Sequence, residues 1–360
     1  MPKIKTSGSI DSNGVWAARS EGGAFAAASP KPDAPAWQRD MQVAFRTLDA
    51  LLSHLELHQG DAPHPLLADS SFPILVPRSF AARMRKGDWR DPLLLQVLPL
   101  GAETAVVPGF VDDAVGDLES QPVPGLLHKY QGRALMLPAS NCAVNCRYCF
   151  RRGFPYGELP KSGARWEAAW KYLEEHADIG ELILSGGDPL VLDNRRLSGI
   201  LEKAQAIPHL TTLRIHSRLP IVLPSRIETG LLSLLSEFAS VKTLVMVVHA
   251  NHPEEIRGDC AEALARLRGT GALLLNQSVL LRGVNDSAPI LAELSRGLAA
   301  CGVLPYYLHQ LDRVKGTAHF EVPEAEGREI LDSLRRNLPG YLLPRYVREE
   351  PGEPSKKPLI

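Results

Sequence analysis

The sequence contains no uninterrupted run of about 20 apolar residues, so nothing in it reads as a membrane-spanning helix. The apolar stretch at 24–28 is too short for a secretory h-region, which points to a cytoplasmic protein. Charge of one sign is also missing. Lys plus Arg number 40 against 41 Asp plus Glu, a net charge of −1, which argues against a protein that lives on nucleic-acid phosphates. Cysteine is scarce, at five in 360 residues. In a reducing compartment an odd, small number of thiols suits metal ligation or burial better than disulfides. A chain of this length buries about three-quarters of its unfolded surface and needs no such staples to fold. Its 44% apolar and 22% charged content is that of an ordinary globular enzyme.

The chain divides by pattern. Residues 1–35 are rich in Gly, Ala, Ser and Pro without periodicity and read as a disordered leader. Trp37, Met41, Phe45, Leu48, Leu51, Leu52 and Leu55 recur at helical spacing and predict one helix to about His58, opening a helical and extended collar over 36–130. Six apolar runs, at 134–138, 181–185, 213–217, 242–249, 272–281 and 304–310, then alternate with amphipathic stretches at 165–176, 195–206, 229–237, 253–268 and 289–300. That alternation predicts an α/β fold, a partial (βα)6 TIM-like barrel over 131–320 with parallel strands and right-handed crossovers. Chemistry then belongs at the C-terminal strand ends. Residues 321–360 read as a helix followed by an irregular, proline-punctuated strap.

Two motifs sit at those strand ends. Cys142, Cys146 and Cys149 form C-x3-C-x2-C directly after the first run. Three thiolates on one short loop hold three irons of a four-iron cubane and leave the fourth open; a zinc site completed by a distant His is the other reading. The second run ends in Ser185-Gly186-Gly187-Asp188-Pro189, whose glycines let backbone approach a ligand closely or make a turn.

The cysteine spacing resembles that of the radical S-adenosylmethionine enzymes. The match narrows with 185–190, Ser217-Arg218-Leu219-Pro220, Pro224-Ser225-Arg226-Ile227, His249-Ala250-Asn251-His252-Pro253 and the eleven residues 276–286. Together, over about 77–360, these resemble the lysine 2,3-aminomutase family. The resemblance implies a [4Fe-4S] cluster on the three cysteines, S-adenosyl-L-methionine beside Ser185, Gly186, Gly187, Asp188 and Gln277, and pyridoxal 5′-phosphate carried by Lys356. By the same match Lys129, Tyr130 and Arg133 hold the phosphate, Arg151 the substrate carboxylate, and Asp312 and Glu349 the distal ammonium of a free lysine substrate. Paired carboxylates suit a cation. Lys129 stands where the family has Arg, keeping charge but losing the bidentate fork. Glu349 is one methylene longer than the usual Asp. In the tail, Glu353-Pro354-Ser355 replace three glycines ahead of Lys356. No single role is assigned to His249, Asn251, His252 or His309, and His216 and Arg218 read as supporting residues.

The tail Gly352-Glu353-Pro354-Ser355-Lys356-Lys357-Pro358 and the short C-terminus resemble the branch of the family that makes (R)-β-lysine for elongation factor P. That implies an external one-electron donor and a functional link to a separate ligase. Catabolic lysine isomerisation, or the same chemistry on another amino acid, is the alternative. The family's interface-zinc cysteine is Ser287 here, so a homodimer without that zinc is expected. Cys260 and Cys301 read as plain buried thiols.

Overall fold

The structure, a computed structural model, describes residues 34–67, 70, 72–158 and 164–359. The expected leader therefore lies almost wholly outside the described residues. From Pro35 onward the chain packs as one unit. Among the described residues no helix is long and apolar enough to cross a membrane.

One mixed sheet organises the fold, with its strands in sequence order. A hairpin of β1 (Leu126–Tyr130) and β2 (Arg133–Ala139) opens it, turned at Gly132, whose φ of 77° favours glycine. Parallel pairing then runs from β2 through β3 (Glu181–Gly186), β4 (Thr212–Ser217), β5 (Thr243–Val248), β6 (Leu273–Val279) and β7 (Leu304–His309) to β8 (Arg345–Arg348). A two-residue antiparallel strand, β9 (Lys357–Pro358), ends the order. Helices Ala164–Glu175, Asn194–Ala206, Thr229–Ala239, Asp259–Arg268 and Ala288–Ala300 form the crossovers. This is the partial barrel that the alternating runs predict.

The alternation along β4 shows how the wall is built. Leu213, Ile215 and Ser217 are buried on one face, while Arg214 and His216 line the central cavity on the other. A closed TIM barrel fills its interior with branched apolar side chains. Here ionisable side chains such as Arg214 and His216 join apolar ones such as Leu135 and Ile183 on the inner wall, around an open cavity.

Four expectations need correction. The predicted helix over 37–58 is two short helices, Ala36–Gln42 and Leu48–His54. Between them the Phe45 backbone pairs with Val76, and Thr47 Oγ1 caps the second helix by accepting from Ala50 N at 3.3 Å. The apolar period survives the break because Trp37, Leu48, Leu51 and Leu52 all still face the core. The stretch 253–268 also breaks: Pro253–Ile256 is a 3-10 turn, and Gly258 at φ 59° separates it from the helix. Lys129 and Tyr130 do not precede the sheet but lie on β1, a strand too short and too polar to show a two-residue period. The strap is not wholly irregular, since β8 and β9 pair with the sheet, a tertiary choice that local composition does not encode.

Candidate active site

The sheet and its loops enclose a cavity of about 470 Å³. Every site residue expected from the sequence lines it: Lys129, Tyr130, Arg133, Cys142, Cys146, Cys149, Arg151, Ser185, Gly186, Gly187, Asp188, Gln277, Asp312, Glu349 and Lys356. These come from strands, strand ends and the strap, so sheet curvature gathers residues more than 200 positions apart.

The cysteine loop is fastened on both sides. Gly187 N donates to Ala139 O and Asp188 N to Asn141 O, each at 2.9 Å. A Cβ at Gly186 would sit 2.9 Å from Ala139 O, and one at Gly187 would sit 2.7 Å from Asn141 N. The two glycines thus permit contact between the end of β3 and the start of the cysteine loop. Asp188, which the match sets beside the sulfonium cofactor, accepts from Leu190 N, Ser217 Oγ, Arg218 N and Leu219 N at 2.7 to 3.2 Å. That makes it a cap and a tie between strand ends. On the other side of the loop, Arg147 is wholly buried, donating to Glu103 and to Phe72 O at 2.7 Å, and so locks the loop to the collar.

The thiols sit in an unusual electrostatic setting. Burial, then Asp188 and the neighbouring thiols, push Cys142 well up. Burial and then Cys146 push Cys149 up to about 11. Thiols this crowded do not ionise together without a cation to compensate, and a bound soft metal centre supplies one. Among the described residues no three His, Cys, Asp or Glu converge on a single-ion position. The donor set, three thiols on one short loop, is that of a soft metal centre. Arg218 Nη1 donates to Cys146 Sγ at 2.6 Å, and its Nη2 donates to Glu255 at 2.9 Å and to Gln96 at 2.7 Å.

The same cavity carries a chain of alternating charges that starts two residues past Cys149. Arg151 Nε donates to Asp117 Oδ2 at 2.6 Å, and Asp117 Oδ1 contacts Lys129 Nζ. Lys129 Nζ donates on to Glu349 Oε1 at 3.1 Å, and Glu349 Oε2 contacts Lys356 Nζ. Burial alone would raise Glu349, but Lys356 and Lys129 hold it down to about 2. Asp312 has no such cation in contact among the described residues; burial and Glu349 push it up to about 7. Burial and then Glu349 also raise the Tyr130 phenol. Arg133 lies 4.5 Å over the Tyr130 ring and has no carboxylate partner among the described residues, which leaves a cation at the wall for an anionic ligand.

Comparison with known proteins follows the same line. The L-lysine 2,3-aminomutase of Escherichia coli (strain K12) is 47% identical over 332 residues, covering 91% of this chain and 95% of that one. The chain belongs to the lysine 2,3-aminomutase family. It is therefore an isomerase of the aminomutase type. The Haemophilus influenzae protein of the same name is 43% identical, over 89% of this chain and 94% of its own. That of Clostridium subterminale is 32% identical, over 90% and 77%. No family model matches the chain. A radical SAM methyltransferase from Sphaerobacter thermophilus superposes with a TM-score of 0.38 at 20% identity, over 62% of this chain and 68% of that one.

Against the aminomutase pattern, Asp117, Glu181 and Arg214 escaped the sequence reading, and several histidines named there had no assigned role at the site. Asp117 lies in the collar, where no motif marks it. Glu181 and Arg214 pair across β3 and β4 at 2.8 Å inside the barrel. His216 is half-buried, its Nε2 without a partner among the described residues, and His309 is driven down to about 3 by burial and Lys356. The histidines after β5 divide: His249 lines the cavity and bonds Tyr148 at 2.8 Å, whereas His252 caps the 3-10 turn through Glu254 N. Their inward positions on a strand period were the available signal for Glu181, Arg214 and His216.

Proposed function

We propose that this aminomutase converts L-lysine to (R)-β-lysine, using a [4Fe-4S] cluster, S-adenosylmethionine and pyridoxal phosphate, and that the product serves modification of elongation factor P. One observation carries the reading: a single cavity contains both the three-cysteine loop and Lys356. When bound, these groups would supply hydrogen-atom abstraction and a conjugated π-system that lets the amino nitrogen shift from the α to the β carbon. Cys142, Cys146 and Cys149 would hold the cluster, with Ser185, Gly186 and Gln277 beside the sulfonium cofactor. Arg133, Tyr130 and Lys129 would hold the phosphate, and Lys356 the aldehyde.

The chain's own residues then do three things. Lys356 Nζ contacts the Glu349 carboxylate, so it must leave that partner to act as a nucleophile. Its departure frees Glu349, which with Asp312 makes the dicarboxylate end suited to the distal ammonium of lysine. Arg151, fixed at the other end, receives the α-carboxylate. The buried wall excludes water from a reactive carbon centre and fixes the reacting distance. The link to elongation factor P rests on the resemblance of the tail at 352–358.

The test is anaerobic reconstitution with iron, sulfide and pyridoxal phosphate, reduction by dithionite, and chiral analysis of the product from L-lysine. (R)-β-lysine is expected. Cofactor cleavage without any β-amino product would overturn the activity. Elongation factor P of unchanged mass in cells lacking this chain would overturn the biological role.

A further inference from the structure

We infer that Asp117 is a positioning residue that presents Arg151 to the α-carboxylate of the substrate, and that it governs recognition of that carboxylate. The inference rests on the reading of Arg151 as the carboxylate site.

Asp117 is 2% exposed and sits in the collar, between the helical N-terminal segment and β1. Burial would raise its carboxyl, but Arg151 and then Lys129 hold it below the usual range, so it is a fixed anion. Its two oxygens serve two cations that the proposed reaction uses separately. Oδ2 accepts from Arg151 Nε at 2.6 Å, and Oδ1 contacts Lys129 Nζ.

The guanidinium of Arg151 is thereby oriented from three directions. Asp117 takes the Nε edge, Ser185 Oγ accepts from Nη1 at 3.2 Å, and the Phe150 ring lies 4.5 Å below its plane. No protein acceptor meets Nη2 among the described residues, and Arg151 lines the cavity. A guanidinium gripped at Nε presents its Nη edge outward, the geometry that receives a carboxylate with charge-assisted bonds. Without an anion at Nε the fork is held only by Ser185 and the Phe150 ring, and the presented edge is no longer fixed. Asp117 thus acts through Arg151 rather than on the reacting atoms. Its hold on Lys129 keeps that cation from competing for the same substrate carboxylate.

The test compares lysine with lysinamide, which keeps both amines and lacks the carboxylate, on the reconstituted holoenzyme at saturating pyridoxal phosphate. Asp117→Asn is expected to raise the KM for lysine about 10- to 100-fold, the loss of one charge-assisted contact, with a smaller change in kcat. The inhibition constant for lysinamide stays within about 3-fold, because that ligand never used the fork. Asp117→Glu, which keeps the anion, restores part of the lysine KM and guards against a misfolded Asn variant. Equal losses for both ligands, or no loss for lysine, would overturn the inference. Arg151→Gln is the control for the underlying reading. If that variant still prefers lysine over lysinamide as the parent does, Arg151 is not the carboxylate site and the inference falls with it. If it loses the preference while Asp117→Asn keeps it, only the inference fails.

Discussion

Asp312 shows how one residue's surroundings set a pH profile. Its carboxyl stands at about 7, raised by burial and by Glu349. Only the ionised form holds an ammonium group. The kcat/KM for lysine, which reports the free enzyme, therefore rises with pH through about 7 and levels above it. Asp312→Asn removes that limb and lowers the plateau; a parent profile flat from pH 5 to 8 would refute the assignment. Lys356→Ala is expected to abolish β-lysine formation while S-adenosylmethionine cleavage remains measurable by release of 5′-deoxyadenosine. Gly187→Ala sets a methyl against the Asn141 backbone, which cannot retreat without moving the loop before Cys142. The iron bound per chain after reconstitution should fall well below the parent's.

At the scale of elements, the strap matters most, because it brings Glu349 and Lys356 to a cavity built mainly by strands far earlier in the chain. β8 joins the sheet beside β7, and Leu359 N donates back to Tyr346 O at 2.9 Å, closing the strap on itself. Tyr346 anchors it through Gln310 and packs on the C-terminal helix Glu324–Asn337 at Gly327. A Cβ at Gly327 would lie 2.7 Å from Tyr346 Cζ. In an open helix, Gly→Ala would stabilise by about 1 kcal/mol. Here the clash dominates. Gly327→Ala should cost about 1–3 kcal/mol in urea unfolding and weaken incorporation of pyridoxal phosphate into the holoenzyme. A variant more stable than the parent would show that the strap does not depend on this contact.

For the whole molecule, the charge chain from Arg151 to Lys356 couples the collar, β1, the cysteine loop and the strap. Its stability follows the sign of the Glu349 shift. A carboxyl held down to about 2 in the folded chain, against about 4.3 unfolded, stabilises above pH 4.3 and loses that contribution as pH falls through 2. Urea unfolding of the cofactor-free protein should show Glu349→Gln less stable than the parent at pH 7. The gap should shrink steadily below about pH 4.3. A gap constant down to pH 2 would mean that the charge contributes nothing.

The alternation of strands and helices and the cysteine loop were readable in the sequence because each is a local pattern: runs of Val, Leu and Ile, and thiols three and four apart. Asp312, Glu349 and Lys356 carry no such pattern, and only the family resemblance singled them out. The tertiary structure alone decided the rest. It broke the 37–58 period at Phe45 and put β1 and the strap into the sheet. It also spent Asp188 on backbone amides and set Asp117 between Arg151 and Lys129. A lone carboxylate has no period and no motif, so its role depends on which cations the fold brings within about 3 Å, and those come from segments whose distance apart in sequence says nothing of their distance in space.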